Sequence, residues 1–320
     1  MITSVSTGTD IALYADDTKI WRTINCWRDH ILLQRDITAL YEWSVKNKMT
    51  FHPSKCVVLP VTLKNVQYIL PFDRFAYHLN NEILDYKDSQ KDLGINVTTR
   101  LLWTSHCKSI TTKASSRLGL LRRTLHFTKC KKQKRIFYLS LIRSLFEHCS
   151  VIWHPYTDGD LAGLIQVQKR AVKWILSEQY NSYSDSMFLT KQAELDLLPM
   201  EFKLIYTDLV LFHQIVHKLV DIELPSYICR KLSSSIRSRS KTSGCISSSV
   251  ESSNIIIQND NLQFRSTMAP KVNAFKYGFF YRVHLEWNNI PFEIRKVENV
   301  DIFKQLLKKH IWFLILPKPD

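Results

Sequence analysis

The sequence has few glycines, and it lacks long apolar runs. Its seven glycines in 320 residues form no G-x-G-x-x-G or P-loop pattern, which excludes the phosphate-cradling turns of dinucleotide-binding and P-loop proteins. The longest apolar candidate, Ile311 to Pro317, is far shorter than the roughly 20 residues of a membrane span. Met1 to Asp10 lacks the basic and apolar regions of a signal peptide. We therefore expect an intracellular protein with no membrane partner, and the sequence favours neither nucleus nor cytoplasm.

Paired cysteines are also missing. The seven cysteines are odd in number and scattered, with no C-x-x-C pair, which predicts reduced thiols in an intracellular protein. A zinc site at Cys107, His126 and Cys130 is disfavoured because their spacing fits no common structural site. His213 and His217 lie one helical turn apart, but Gln214 stands where an H-E-x-x-H motif needs glutamate, so we expect surface or interface histidines.

Acidic residues are absent from 93–146, where twelve lysines and arginines accumulate. Residues 1–92 balance 11 acids against 11 bases, so the net charge of +15 comes chiefly from this acid-free stretch and from the tail beyond 233. A solvated helix normally mixes both signs. The stretch therefore indicates a polyanionic partner, although a basic solvated face is the simpler alternative.

The composition, 45% apolar and 23% charged, is that of a globular chain, and local patterns predict an α+β fold. In the first third we predict a hairpin around Asp16-Asp17, a helix over 27–46, a strand over Val57–Val61 and a β-rich patch over 75–97. Helices then begin near Ser105, over 131–149 and near Leu161. Phe202 to Leu219 forms an apolar seam for packing against another helix.

Tyr14-Ala15-Asp16-Asp17 is the sharpest chemical motif. It places two adjacent carboxylates at the tip of a predicted hairpin. Mg²⁺ binds one or two protein carboxylates together with water and substrate phosphates, and paired Mg²⁺ ions catalyse phosphoryl transfer. The alternative is a solvated acidic turn, because aspartate is a common turn residue.

These residues resemble the reverse transcriptase of non-LTR retrotransposons, the LINE-like, jockey-type elements of animals. Leu13 to Ile20 is similar to the catalytic hairpin of that family, and Met49 to Lys55 is similar to its next palm motif. Lys91 to Ile95 resembles the Leu-Gly strand of the primer grip, and Trp103-x-x-His106 with Lys113 resembles the start of the thumb. Three later segments are also similar to the family, in the same order: 144–155, 165–171 and 279–291.

The resemblance implies part of a right-hand polymerase palm, a hairpin plus a helix, over 1–100. It further implies a mostly helical thumb and connection over 101–232 and an amphipathic C-terminal segment over 271–320. The intervening 233–270 begins with 11 serines in 21 residues, which predicts a flexible linker.

The resemblance also implies site residues. Asp16 and Asp17 would be catalytic Mg²⁺ ligands, Lys55 would steady or protonate the leaving pyrophosphate, and Leu93 and Gly94 would approach the primer end. An exposed lysine and an ordinary strand glycine are the simpler alternatives. The expected contacts to an RNA template and DNA primer, or to an RNA–DNA duplex, are Trp103, Lys108, Lys113, Arg117, Arg122, Arg123, Lys131, Lys132 and Lys134.

The family also has a further metal-binding aspartate on an earlier palm strand, and fingers, all upstream of the hairpin. Only thirteen residues precede Tyr14, so we expect a C-terminal fragment with poor or no polymerase activity alone. The alternative hypothesis is a non-catalytic nucleic-acid-binding protein derived from the thumb and tail of a retroelement. The sequence predicts no oligomeric state.

Overall fold

The structure is a computed structural model that describes residues 5–62, 75–177, 184–231 and 262–316. It contains helices and small, mainly antiparallel sheets, which is consistent with the predicted α+β class. The chain divides into an N-terminal unit, residues 1–102, and a C-terminal unit, residues 103–320.

The N-terminal unit begins with the predicted hairpin. Strands β1 (Thr9–Tyr14) and β2 (Asp17–Arg22) are antiparallel, and helix α1 (Trp27–Lys46) follows. The Asp29 carboxylate caps α1 by accepting from the Cys26 N–H at 3.1 Å, as negatively charged groups do near helix N-termini. The structure thus confirms the hairpin and the helix.

Short strands complete this unit. They are β3 (Val57–Val58), β4 (His78–Leu79), β5 (Glu82–Ile83), β6 (Asp85–Tyr86), β7 (Ser89–Asp92) and β8 (Ile95–Thr98). β3 pairs parallel with β6, and β4 with β5 and β7 with β8 form antiparallel hairpins. The predicted strand over Val57–Val61 is correct only for its first two residues, because Pro60 has no N–H to donate to a ladder. Ile37 of α1 packs with Tyr77, Leu79 and Leu84 in the core.

The C-terminal unit is mostly helical. Its first helices are α2 (Thr104–Thr124), α3 (Lys131–Tyr138), α4 (Ser144–Glu147), α5 (Ser150–Trp153), α6 (Asp158–Leu176), α7 (Asp185–Glu194) and α8 (Met200–Val216). A π-helical segment, Leu139–Arg143, joins α3 to α4. The Thr157 and Ser184 side chains cap α6 and α7 by accepting backbone N–H bonds, as expected for these residue types.

The remaining elements complete the C-terminal unit. They are β9 (Ile228–Arg230), β10 (Phe264–Ser266), α9 (Asn273–Lys276), α10 (Phe279–Asn289), α11 (Phe292–Arg295) and α12 (Val300–Ile315). Helices α10 and α12 pack on α8. Phe212 of α8, Trp287 of α10 and Phe303 of α12 are fully buried together. The predicted seam is therefore confirmed as a helix-packing surface within α8, but it is wrong at Leu219, which lies beyond the end of α8 and is 51% exposed.

The linker predicted over 233–270 is wrong at its C-terminal end. β10 pairs with β9, and Phe264 is buried in the α8 core. Removing the large apolar surface of a phenylalanine side chain from water stabilises the fold, so this residue packs in the core. Residues 232–261 lie outside the described residues. The segment 271–320 belongs to the same unit as 103–232.

Two further expectations concern membranes and thiols. Among the described residues, no helix combines the length and the apolar character needed to cross a membrane. Cys26, Cys56, Cys107, Cys130, Cys149 and Cys229 are free thiols.

Candidate functional site

The hairpin presents both candidate metal ligands at its tip. Tyr14 and Asp17 form the last cross-strand pair, so Ala15 and Asp16 are the two turn residues. Both aspartates are exposed. Ala15 has φ 53°, a left-handed conformation that costs a residue with a Cβ about 1–2 kcal/mol. Such local strain is typical of functional turns.

The two faces of the hairpin differ. Ile20 faces the core of the N-terminal unit. On the other face, Asp17 is flanked by Tyr14 and Trp21, whose side chains are 68% and 49% exposed, and by exposed Lys19. Cross-strand alternation therefore places the Asp17 carboxylate on an open face of the sheet.

The two carboxylates at the hairpin tip could supply part of the coordination shell of one Mg²⁺ ion. Two carboxylates with water and substrate phosphates are an ordinary Mg²⁺ shell. Within 5–62, 75–177, 184–231 and 262–316, however, no group of three histidine, cysteine, aspartate or glutamate side chains is placed to hold a metal. The hairpin thus supplies two ligands, and the described residues do not complete a two-metal centre.

Lys55 ends a short 3₁₀ turn, Pro53–Lys55, and is exposed. In the described part of the chain, no hydrogen bond or ion pair joins it to Asp16 or Asp17. The structure therefore leaves Lys55 at a turn on the surface of the N-terminal unit, where a role toward a leaving group would depend on the bound substrate.

Leu93 and Gly94 lie in a turn, and the prediction that they belong to one strand is wrong. Asp92 pairs with Ile95, so Leu93 and Gly94 form the two-residue turn between β7 and β8, with φ 44° and 89°. Two consecutive positive φ values define a type I′ turn, which favours glycine at its second position. The Leu93 side chain is 40% exposed at this tip.

An ion pair connects two hairpins of the N-terminal unit, β1–β2 and β7–β8. Lys19 of β2 binds the carboxylate of Asp92 at the end of β7. Lys19 lies two residues from Asp17, and Asp92 immediately precedes Leu93. The ion pair therefore connects the hairpin that carries the carboxylates to the hairpin whose turn resembles a primer grip.

The basic residues of α2 lie on both sides of the helix. Lys108, Lys113, Arg117, Arg122 and Arg123 are all exposed, whereas Ala114 and Leu118 face the core. With about 100° between successive helical residues, Lys113 and Arg117 lie on one side of the buried stripe and Lys108 and Arg122 on the other. Arg117 also donates to the Leu141 carbonyl at 2.9 Å.

The remaining candidate nucleic-acid contacts differ in exposure. Lys131 and Lys132 are exposed in its first turn, and Trp103 is half-buried at the start of α2. Lys134 is buried, and its Nζ donates to Ser177 Oγ at 2.8 Å. The prediction that Lys134 contacts nucleic acid is therefore wrong. Burial lowers the pKa of its ammonium group, consistent with removal from solvent.

The three residues of the disfavoured zinc site differ in exposure. Cys107 is buried in α2, where burial raises the pKa of its thiol to about 12, whereas His126 and Cys130 are exposed. Of the two expected surface or interface histidines, His213 does not lie on the surface. It is fully buried, and its Nε2–H donates to the Val297 carbonyl at 2.6 Å.

The sequence-based predictions missed the hydrogen bonds and ion pairs between residues that are distant in the sequence. Asp208 is buried between Arg282 and His154, and Arg135 and Arg143 of the acid-free stretch bind acceptors inside the fold. The four-residue spacing of Lys134, Tyr138 and Ile142 was an available signal for burial, because it places all three on one helical face. The ion-pair partners carried no local signal.

Comparison of the chain with protein-family models, curated proteins and solved structures finds no match. The likeness to a polymerase therefore stays a prediction from the sequence.

Proposed function

We propose that the chain is the C-terminal part of an RNA-directed DNA polymerase of a non-LTR retrotransposon. In this proposal the N-terminal unit is part of the palm, and the C-terminal unit is the thumb with its helical extension. The observation that carries the proposal is the Lys19–Asp92 ion pair. It supports a common site for the hairpin tip that carries Asp16 and Asp17 and for the Leu93-Gly94 turn, whose sequences resemble the catalytic and primer-grip motifs.

Each turn has a distinct proposed role. Asp16 and Asp17 would bind Mg²⁺, which when bound lowers the cost of charge developing on the transferred phosphoryl group. Leu93 would contact the last nucleotide of the primer, and Gly94 keeps the turn narrow. Lys55 would act on the leaving pyrophosphate once substrate is bound.

The proposed grip on the duplex comes from the surface cations of α2 and α3. Lys131 and Lys132 stand at the positive end of the α3 dipole, without an acidic residue in that turn, which strengthens attraction to phosphate. Contacts of this kind are independent of sequence, and the affinity falls steeply with salt.

The test is primer extension on an RNA template with Mg²⁺, together with binding of the same primer–template. Wild type is compared with Asp16→Asn plus Asp17→Asn, which keeps the shape and removes both charges. If the wild-type chain extends the primer and the double variant does not, the result supports the polymerase. If neither chain binds the primer–template, the proposal is wrong.

The second candidate is a non-catalytic nucleic-acid-binding protein. It is favoured by the lack of a third metal ligand among the described residues. It predicts salt-sensitive binding of the primer–template with no extension from either chain, and equal affinity for wild type and the double aspartate variant.

A further inference from the structure

A charged cavity lies in the C-terminal unit, separate from the residues proposed to bind duplex. It has a volume of about 180 Å³ and lies between the π-helical segment, α8, α12 and the residues that follow α7. This volume exceeds that of a single water, about 30 Å³, several times. A tetrahedral anion fits such a space with part of its hydration shell.

Cations outnumber carboxylates in this cavity. Its charged lining among the described residues is Arg135, Arg143, Lys203, Lys308, Glu147 and Asp196. Four positive charges thus face two negative ones. Because this excess is held in a concave site where the dielectric constant is lower than in bulk water, it favours a bound anion.

Each carboxylate is shared by two cations. Glu147 Oε1 lies 3.1 Å from Arg143 Nε and 3.4 Å from Lys203 Nζ. Asp196 lies 2.6 Å from Lys308 Nζ and 3.4 Å from Arg135 Nη2. One carboxylate neutralises only one of its two cations, so the excess of two positive charges is built into the pairing.

Arg143 is the most deeply buried of the four cations that line the cavity. Its side chain is only 3% exposed, and its Nη2 donates to the Leu198 carbonyl at 2.9 Å. Its Nη1 is buried, and Arg143 also interacts with the hydroxyl group of the fully buried Tyr138, which lies outside the cavity lining. The guanidinium is therefore a fixed positive charge at the wall of the cavity.

The backbone at the cavity is also unusual. Arg143 and Leu139 both belong to the π-helical segment Leu139–Arg143, and both line the cavity. Such single-turn π segments are rare, and they occur frequently at functional sites. Burial lowers the pKa of Lys203, and Glu147 only partly offsets this effect, as expected for an ammonium group with too little negative charge around it.

We propose that this cavity binds a phosphate dianion, either as free phosphate or as a terminal phosphate monoester. A phosphate monoester carries a charge of about −1.5 to −2 at pH 7, which matches the excess of two, whereas an internal phosphodiester carries only one negative charge. Arginine recognises phosphate through paired N–H donors, and the lysines act as point charges.

The experiment is calorimetric titration of the full chain with inorganic phosphate at pH 7.5 and constant ionic strength. The test variant is Lys203→Gln plus Lys308→Gln, which leaves one cation for each carboxylate. The control is Lys271→Gln plus Lys309→Gln, which removes the same charge at two exposed positions. Binding at one site by wild type and control, weakened about tenfold or more in the test variant, supports the proposal.

A second variant changes affinity in the opposite direction. Asp196→Asn removes a competing carboxylate at a residue whose side chain is 57% exposed and whose backbone is left-handed, a conformation that asparagine tolerates. It should bind phosphate more tightly than wild type. Equal binding by all four chains, or no binding by wild type, would overturn the proposal.

Two further ligands identify the source of the phosphate. Dimethyl phosphate, a monoanionic diester, should bind more weakly than inorganic phosphate. An oligonucleotide with a 5′-phosphate is then compared with its 5′-hydroxyl form. If the 5′-phosphate adds affinity, and inorganic phosphate removes this extra affinity by competition, the cavity binds a nucleic-acid end. Equal affinity of the two forms indicates that it binds a free anion. Affinity for the diester equal to that for phosphate would contradict a dianion site.

Discussion

The Asp208 carboxylate accepts two hydrogen bonds from the Arg282 guanidinium, at 2.9 Å from Nε and 3.0 Å from Nη2. His154 Nδ1 lies 2.8 Å from the same carboxylate. Arg282 also donates to the Val151 carbonyl at 2.6 Å. The pair thus joins the segments 144–155 and 279–291, both of which carry the family resemblance, through a buried residue of α8.

Breaking this pair should destabilise the C-terminal unit strongly. Asp208→Asn leaves the Arg282 guanidinium, whose side chain is 15% exposed, without a counter-charge, so we expect a loss of about 3 kcal/mol or more in the free energy of unfolding. Urea denaturation measures it. Glu293→Gln is the control, because its partner Lys296 is half-exposed and such surface pairs contribute about 0–1 kcal/mol. Equal losses in both variants would argue against the buried pair.

Relieving the strain at Ala15 should stabilise the hairpin. Ala15→Gly removes the Cβ from a left-handed residue, and we expect a gain of about 0.5–1 kcal/mol after the entropic cost of glycine. Ala12→Gly, in the regular strand β1, should instead destabilise by a similar amount. Urea denaturation compares the two variants, and a loss of stability in Ala15→Gly would show that the turn is not strained.

Substitution of exposed Lys132 should weaken duplex binding, whereas substitution of buried Lys134 should not. Lys132→Glu places an acid in the first turn of α3, which should add about 0.3–1 kcal/mol to stability while it weakens duplex binding and lowers the salt dependence by about one unit of slope. Lys134→Met should leave both binding quantities unchanged. Fluorescence anisotropy over a series of salt concentrations measures them. A loss of affinity in a folded Lys134→Met chain would mean that Lys134 reaches the ligand after all.

Two buried histidines should make the C-terminal unit acid-sensitive. Burial lowers the pKa of both His106 and His213 from 6.5 to about 4. The unfolded chain therefore binds more protons than the folded chain between these values, and stability falls as the pH falls from about 6.5 toward 4. At pH 5 each histidine should cost about 2 kcal/mol.

The matched variant for this pH dependence is His213→Gln. Glutamine can keep the donor to the Val297 carbonyl but cannot take a proton. Denaturation at pH 7 and pH 5 should show a smaller loss in the variant than in wild type. The same loss in both chains would exclude His213 as a source of the acid sensitivity.

The secondary structure was largely predictable because its signals are local. The Asp16-Asp17 turn between β-branched and aromatic residues predicted β1 and β2, and apolar residues three and four apart predicted α2 and α8. Strand pairing was less predictable. Leu93-Gly94 is a turn because its two residues have positive φ, a property that the Leu-Gly sequence signals only weakly, since asparagine rather than leucine is favoured at the first position.

Long-range charge pairing could not be predicted from the sequence. The acid-free stretch 93–146 suggested one basic surface, but Arg143 binds Glu147, just beyond the stretch, and Arg135 binds Asp196, 61 residues away. Tertiary packing brings these carboxylates to the cations after the helices have formed. A count of charges along the chain therefore overestimated the exposed footprint.

The proposed function places the end of a primer at the turns of the N-terminal unit. Its most direct test is photo-crosslinking of an RNA template annealed to a DNA primer that carries 4-thiothymidine at its 3′ end, followed by mass spectrometry of the linked peptides. A primer end at these turns should give crosslinks in peptides that contain Leu93 or residues 14–17, and the crosslinks should be lost when the analogue is moved to the 5′ end. Crosslinks confined to the C-terminal unit, or an unchanged pattern after the analogue is moved, would contradict it.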